Sequence, residues 1–170
     1  DQLEMLQREL QEAIHAANKA IDQLQVVLQH LQKAKDYSVW DTFLGGGFIA
    51  THLKHEQMKA SESTLHQAQR ALQVFQNELA DIENMRDETF HIDVDRFVKM
   101  ADYFFDDIFS EWSIHSKIKT KIAEIHRLLD DLYNTDMYLK RKLDNTQQRL
   151  AQLQQEEEKI YMLDPQILSR

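Results

Sequence analysis

The feature that most constrains this chain is the alternation of apolar residues at three- and four-residue steps in its first and last parts. The alternation runs from Leu3 to Ala34, and again from Ile118 to Ile160. Residues at these steps lie on one face of an α-helix, so each part predicts a long helix with a continuous apolar seam. The first pattern is already in register at Leu3 without a capping signal, so we expect its helix to begin upstream of this sequence.

A further apolar column lies beside the first seam, at Ile14, Ile21 and Leu28. Three columns bury more surface than one partner helix covers, which favours a bundle over a two-stranded coil. The composition agrees, because the 170 residues include only 3 Gly and 1 Pro, the two residues that most disfavour helix interiors.

A second helical pattern runs from about Phe48 to Glu83, and its length nearly equals that of the first, which we expect to end near Asp36. Residues 37–47 connect them and contain all three glycines. A short connection makes antiparallel neighbours, so we predict a long hairpin with residues 37–47 at its tip. The glycines predict a tight turn, and the alternative is an anion or peptide site at a helix N-terminus.

Residues 84–95 alternate as extended chain does, and a short aromatic helix and the long last helix follow. We expect the last helix to run antiparallel to the first, with the aromatic helix at the hairpin tip; the alternative joins residues 95–160 into one rod. The predicted fold class is all-α: a long antiparallel helical hairpin plus a long C-terminal helix forming a coiled-coil bundle, with the short aromatic helix capping one end. We expect residues 1–163 to form a single elongated bundle and residues 164–170 to form a C-terminal tail.

The formal net charge of −9 disfavours nucleic acid and anionic membrane surfaces as partners, because both require clustered Lys and Arg. The sequence contains no apolar run of 18 residues, so no transmembrane helix is predicted. It also contains no Cys, which excludes disulfides and thiolate chemistry.

Histidines and carboxylates recur at helical spacing in the expected head of the bundle. His52 and His55 lie on the second helix, Asp102 and Asp106 on the aromatic helix, and His115 follows it. Mixed imidazole and carboxylate ligands suit Zn, Mn or Fe, so these five residues are the candidate metal ligands. The alternative is that they are surface residues in caps and salt bridges, with no cofactor.

Aromatic residues concentrate in the same two segments, and aromatic side chains are frequent interaction hot spots. The candidate partner-binding residues are Trp40, Phe43, Phe48, Phe105, Phe109 and Trp112. The alternative is that these side chains form a small core that closes the end of the bundle.

The segments Trp40–Asp41, Gly45–Gly47, Lys54–His55 and Ala101–Asp106, together with Trp112, carry a resemblance. In these residues the chain resembles uncharacterised bacterial helical coiled-coil proteins of unknown function. The resemblance implies a bacterial, cytoplasmic protein and implies no activity, cofactor or partner.

No Walker pattern and no Ser-His-Asp or Cys-His arrangement occurs, which argues against an enzyme without deciding the question. The leading hypothesis is a non-enzymatic protein–protein interaction or scaffolding module, with a coiled-coil stalk and an aromatic, Gly-rich head. It would bind a protein partner or self-associate through its helices. The alternatives are a metal-binding enzyme or sensor that uses the His/Asp cluster, and a membrane-active helical hairpin.

Overall fold

A computed structural model describes residues 2–44, 47–85, 94–110 and 118–163, with side chains described over 2–36, 63–85, 94–108 and 118–163. The described chain is all-α and forms a helical bundle, as predicted. Its helices are α1 (Gln2–Leu44), α2 (Gly47–Asn84), α3 (Val94–Ser110) and α4 (Ile118–Leu163).

The first helix is longer than predicted. It continues through residues 37–44 to Leu44 instead of ending near Asp36, since this segment contains no Gly or Pro to stop it. Gly47 is the first residue of α2, and the predicted tight turn at Gly45 and Gly46 lies outside the described residues. The predicted extended segment also falls largely outside them, at residues 86–93.

α1 and α2 form the predicted antiparallel hairpin. Ligand atoms of Glu9, near the start of α1, lie within 4.8 Å of those of Glu78 and Asp81, near the end of α2. Both predicted seams face the core: the α1 seam is buried from Leu6 to Ala34, and the α2 seam from Leu65 to Ile82.

α4 packs against α1. The side-chain amide of Gln25 donates a hydrogen bond to the hydroxyl of Tyr133, with 2.5 Å between Nε2 and Oη. The predicted α4 seam is buried or half-buried from Ile118 to Leu153, which confirms its register over that length.

α3 packs against α2 and α4. Phe97 meets Phe75 edge to face, with 5.7 Å between the ring centroids. Phe75 lies 28 residues after the first residue of α2, or about 42 Å along that helix. α3 therefore begins beside the half of α2 that lies away from the hairpin tip, and not at the tip, where we predicted it. Its role as a cap on one end of the bundle stays a prediction.

Lys121 joins α3 to α4 although it is only 4% exposed. Its ammonium pairs with Asp107 of α3 and donates to Glu124 at 2.8 Å, and it lies 5.5 Å and 5.4 Å from the ring centroids of Tyr103 and Phe104. Burial lowers the pKa of Lys121, but the two carboxylates outweigh burial and raise the pKa above its ordinary value. The side chain is therefore cationic at neutral pH.

We expect Lys121→Met to loosen α3. The substitution keeps the aliphatic contacts but leaves Asp107 and Glu124, which are 22% and 19% exposed, without their cation. We expect a loss of about 1–3 kcal/mol in the free energy of unfolding and faster amide exchange in α3. Lys119→Met, at an exposed position two residues earlier in α4, is the control. Equal stability and equal exchange in the two variants would contradict this role.

We expect α4 to run parallel to α1, and not antiparallel as the sequence predicts, because α3 fixes where α4 begins. Phe75 lies level with about residue 14 of α1, since Glu9 lies beside Glu78 and Asp81. Phe97 packs on Phe75, and Asp107, which pairs with Lys121, follows only ten residues later, about 15 Å along α3.

From the contact of Gln25 with Tyr133, a parallel α4 places Lys121 level with residue 13 of α1, whereas an antiparallel α4 would place it about 35 Å from the level of Phe75. Spin labels on Arg8→Cys and Arg149→Cys should therefore lie about 50 Å apart. A distance below about 25 Å would show that α4 is antiparallel, because packed helices are about 8–10 Å apart. Labels on Arg8→Cys and Glu83→Cys provide a short reference distance within the hairpin.

Candidate functional site

A groove runs between α1 and α2 on one flank of the hairpin. Its volume is about 340 Å³, and its lining comes from these two helices alone. We call this flank the open face. The lining residues are Ala16, Lys19 and Gln23 of α1 with Gln67, Arg70, Ala71 and Val74 of α2.

The open face has a basic part and an acidic part. Lys19 and Arg70 line the groove and are exposed. Toward the free end of the hairpin, Glu9, Glu78 and Asp81 bring three carboxylates within 4.8 Å of one another. Among the described side chains, no ion pair joins the basic part to the acidic part.

Glu78 is the carboxylate that this arrangement affects most. Burial raises its pKa above the ordinary value of 4.5, and the negative charges of Glu12, Asp81 and Glu9 raise it further. One of its carboxylate oxygens, Oε2, is buried and accepts no hydrogen bond from the described residues. Among the described residues, no cation therefore neutralises the acidic part of the open face.

Apolar side chains accompany these charges. Val74 is 52% exposed at the edge of the groove. Met5 and Val26 are 50% and 38% exposed and lie at seven-residue steps from Lys19, so they share its side of α1. An open surface with exposed apolar side chains and unneutralised charges of both signs is suited to binding a protein.

Two of the five predicted metal ligands, Asp102 and Asp106, have side chains that the structure describes. Asp102 and Asp106 are exposed on α3, whose start lies beside Phe75. The side chains of His52 and His55, and all of His115, lie outside the described residues. His52 precedes Phe75 by 23 residues of the same helix, about 35 Å. The metal site stays a prediction, and this placement of α3 disfavours it.

Of the predicted partner-binding aromatics, Phe105 is the one whose side chain is described. It is 1% exposed and packs edge to face against Phe104, with 5.0 Å between the ring centroids. Phe105 therefore belongs to the hydrophobic core and does not form a binding surface. For this residue the structure agrees with the alternative interpretation, in which the aromatic side chains are core residues. The other side chains lie outside the described residues, namely Trp40, Phe43, Phe48, Phe109 and Trp112.

Sequence reasoning missed the open face. Its α1 residues follow one another at seven-residue steps, as Met5, Glu12, Lys19 and Val26. This spacing is visible in the sequence, but charged residues on a helix are usually a solvated face, and the main seam is far more apolar. Only the antiparallel pairing with α2 shows that Lys19 and Arg70 lie side by side.

Comparison with family models, curated proteins and solved structures finds no match for this chain. Within the described ranges, none of the helices contains an apolar stretch long enough to cross a membrane.

We expect Glu78→Gln to stabilise the dilute protein at neutral pH. Because the fold favours the neutral carboxyl, the stability contributed by Glu78 is fully present below its ordinary pKa of 4.5 and is lost as the pH rises through the raised pKa. The free energy of unfolding of the variant should exceed that of the natural chain by roughly 0.5 kcal/mol at pH 7, and this difference should shrink toward pH 4. Denaturant unfolding at both pH values measures it.

Glu83→Gln, an exposed position on the same helix, is the matched control for the loss of one negative charge. A gain that is the same in both variants, or that does not change with pH, would contradict the environment assigned to Glu78.

Proposed function

We propose that this protein is a non-enzymatic interaction or scaffolding module that binds a protein partner through helices. A cytoplasmic location is part of the proposal and is motivated by the resemblance to bacterial helical proteins. The helical bundle supplies a rigid stalk, because α4 alone has 46 residues and a length of about 69 Å.

The observation that carries the proposal is the change in burial along the α4 seam. Leu139 is fully buried, whereas Leu150 and Leu153 are half-buried and Ile160 is 55% exposed. Every residue from 154 to 160 is exposed. The seam therefore continues as an apolar stripe after the rest of the described bundle has stopped covering it.

An apolar stripe at helical spacing on a straight helix is the surface to which a second amphipathic helix packs. Leu153 and Ile160 are seven residues apart and would serve as equivalent positions in such a seam. Between them, Glu157 occupies the seam position and Glu156 and Glu158 lie beside it, which favours a partner that presents Lys or Arg opposite these carboxylates.

A photo-crosslinking amino acid at position 160 tests the proposal in cells of the source organism. We expect a discrete conjugate with another protein, at least about fivefold stronger than from position 158, because Glu158 lies on the opposite side of the helix. Introducing Leu153→Asp should abolish the conjugate, since it places a charge in the seam. Equal conjugation from the two positions, or conjugation unaffected by Leu153→Asp, would contradict the proposal.

A further inference from the structure

The open face carries its side chains in a symmetric order along α1. Met5, Glu12, Lys19 and Val26 lie on one stripe at seven-residue steps, and all four are exposed. The midpoint of this stripe lies beside Ala16. From there, Glu12 and then Met5 follow toward the N-terminus, and Lys19 and then Val26 follow toward the C-terminus. The two charges are opposite in sign.

The same order occurs on α2 around Val74. Arg70 lies four residues before Val74 and Glu78 four residues after it, so each charge is about one helical turn away on the same side. Along this helix, too, the face presents a positive charge, an exposed apolar side chain and a negative charge.

The two centres of symmetry coincide in the folded hairpin. Ala16 and Val74 line the same groove, and so do Lys19 and Arg70. Glu12 is close enough to Glu78 for its negative charge to raise the pKa of that carboxyl. Both positive charges therefore lie to one side of the centre, and the negative charges lie to the other.

We infer that the open face binds a second copy of this chain, related by a two-fold axis. The axis lies in the plane of the interface, perpendicular to α1 and α2, and crosses the groove at the level of Ala16 and Val74. A two-fold interface requires a patch that is complementary to itself. Rotation about this axis brings each Val74 against its counterpart and each Met5 against Val26 of the second copy.

The same rotation pairs the charges. Arg70 faces Glu78 of the second copy, and Lys19 faces Glu12 of the second copy. Each pair occurs twice, and together they bring a cation to Glu12 and to Glu78, whose buried Oε2 has no hydrogen-bond partner among the described residues. Such pairs contribute mainly orientation and specificity, while the exposed apolar side chains supply the area that is removed from water.

A second copy fits this face better than a different protein of uniform charge, because such a protein would meet repulsion at one of the two parts. The chain's net charge of −9 makes two copies repel at long range. The pairing of opposite parts is what overcomes that repulsion locally, so the dimer should weaken as salt screens the pairs.

Two charge-reversal variants test the inference by sedimentation equilibrium. One carries Lys19→Glu and Arg70→Glu, and the other carries Glu12→Lys and Glu78→Lys. We expect the natural chain to sediment at twice its mass of 20.2 kDa and each variant alone to dissociate at least roughly 100-fold more readily. An equimolar mixture of the two should recover the dimer, because each then meets an opposite charge.

The control is Arg141→Glu with Arg149→Glu, two exposed positions on α4 that change the net charge equally. A monomeric natural chain, reversal variants that remain dimeric, or a mixture that stays monomeric would each overturn the inference. Restoration by mixing also excludes misfolding as the cause of dissociation.

Val74→Cys gives an independent measurement, because the chain has no other cysteine. A residue on a two-fold axis meets itself, so mild oxidation should join two copies in high yield. Gln73→Cys, which is exposed on the same turn but off the axis, should give little product; equal yields would contradict the axis. Neither measurement involves the end of α4, so this inference and the proposed function succeed or fail separately.

Discussion

Burial of one broad face of α1 is the constraint on which the rest of the structure depends. This helix packs against both α2 and α4, and Ala13, Ala17 and Ala20 in its seam are fully buried. Small side chains let neighbouring helices approach closely, while Leu10 before them and Leu24 after them each contribute about 1.5–3 kcal/mol of hydrophobic stabilisation. Two neighbours share this face, so the opposite flank of the hairpin remains uncovered and forms the open face.

Polar groups inside the bundle determine where the second pair of helices fits. Lys121 is buried because Asp107 and Glu124 accept its charge, and this pairing holds α3 beside α4. Further along α4, Asp136 is 6% exposed and pairs with Lys140 at 2.7 Å, but its Oδ1 has no hydrogen-bond partner among the described residues. An incompletely paired carboxylate weakens a seam, but Leu139 and Thr146 beyond it are still buried, and the burial of α4 declines only from Leu150 onward.

The two surfaces assigned to binding have one physical origin. A narrow bundle cannot cover every apolar side chain that its long helices carry, because helices of unequal length leave ends and flanks exposed. The end of the α4 seam at Ile160 and the open face around Val74 are both left in this way. They differ in charge pattern, since the first is flanked mainly by acidic residues, with Lys159 beside Ile160, and the second carries both signs in a self-complementary order.

Periodicity alone determined the all-α class, the hairpin and nearly every core position, because burial of an amphipathic helix follows its own repeat whichever helix covers it. Leu65 to Ile82 and Ile118 to Leu153 illustrate this. Tertiary structure decided what lies beside the seams: Lys121 is a polar residue in the sequence and becomes buried only because α3 brings Asp107 and two aromatic rings to it. The same holds for Lys19 and Arg70, which are 51 residues apart in the chain. Local spacing specifies the face on which a side chain lies, but only the packing of another helix specifies its neighbours, and the neighbours set the charge and burial of a binding surface.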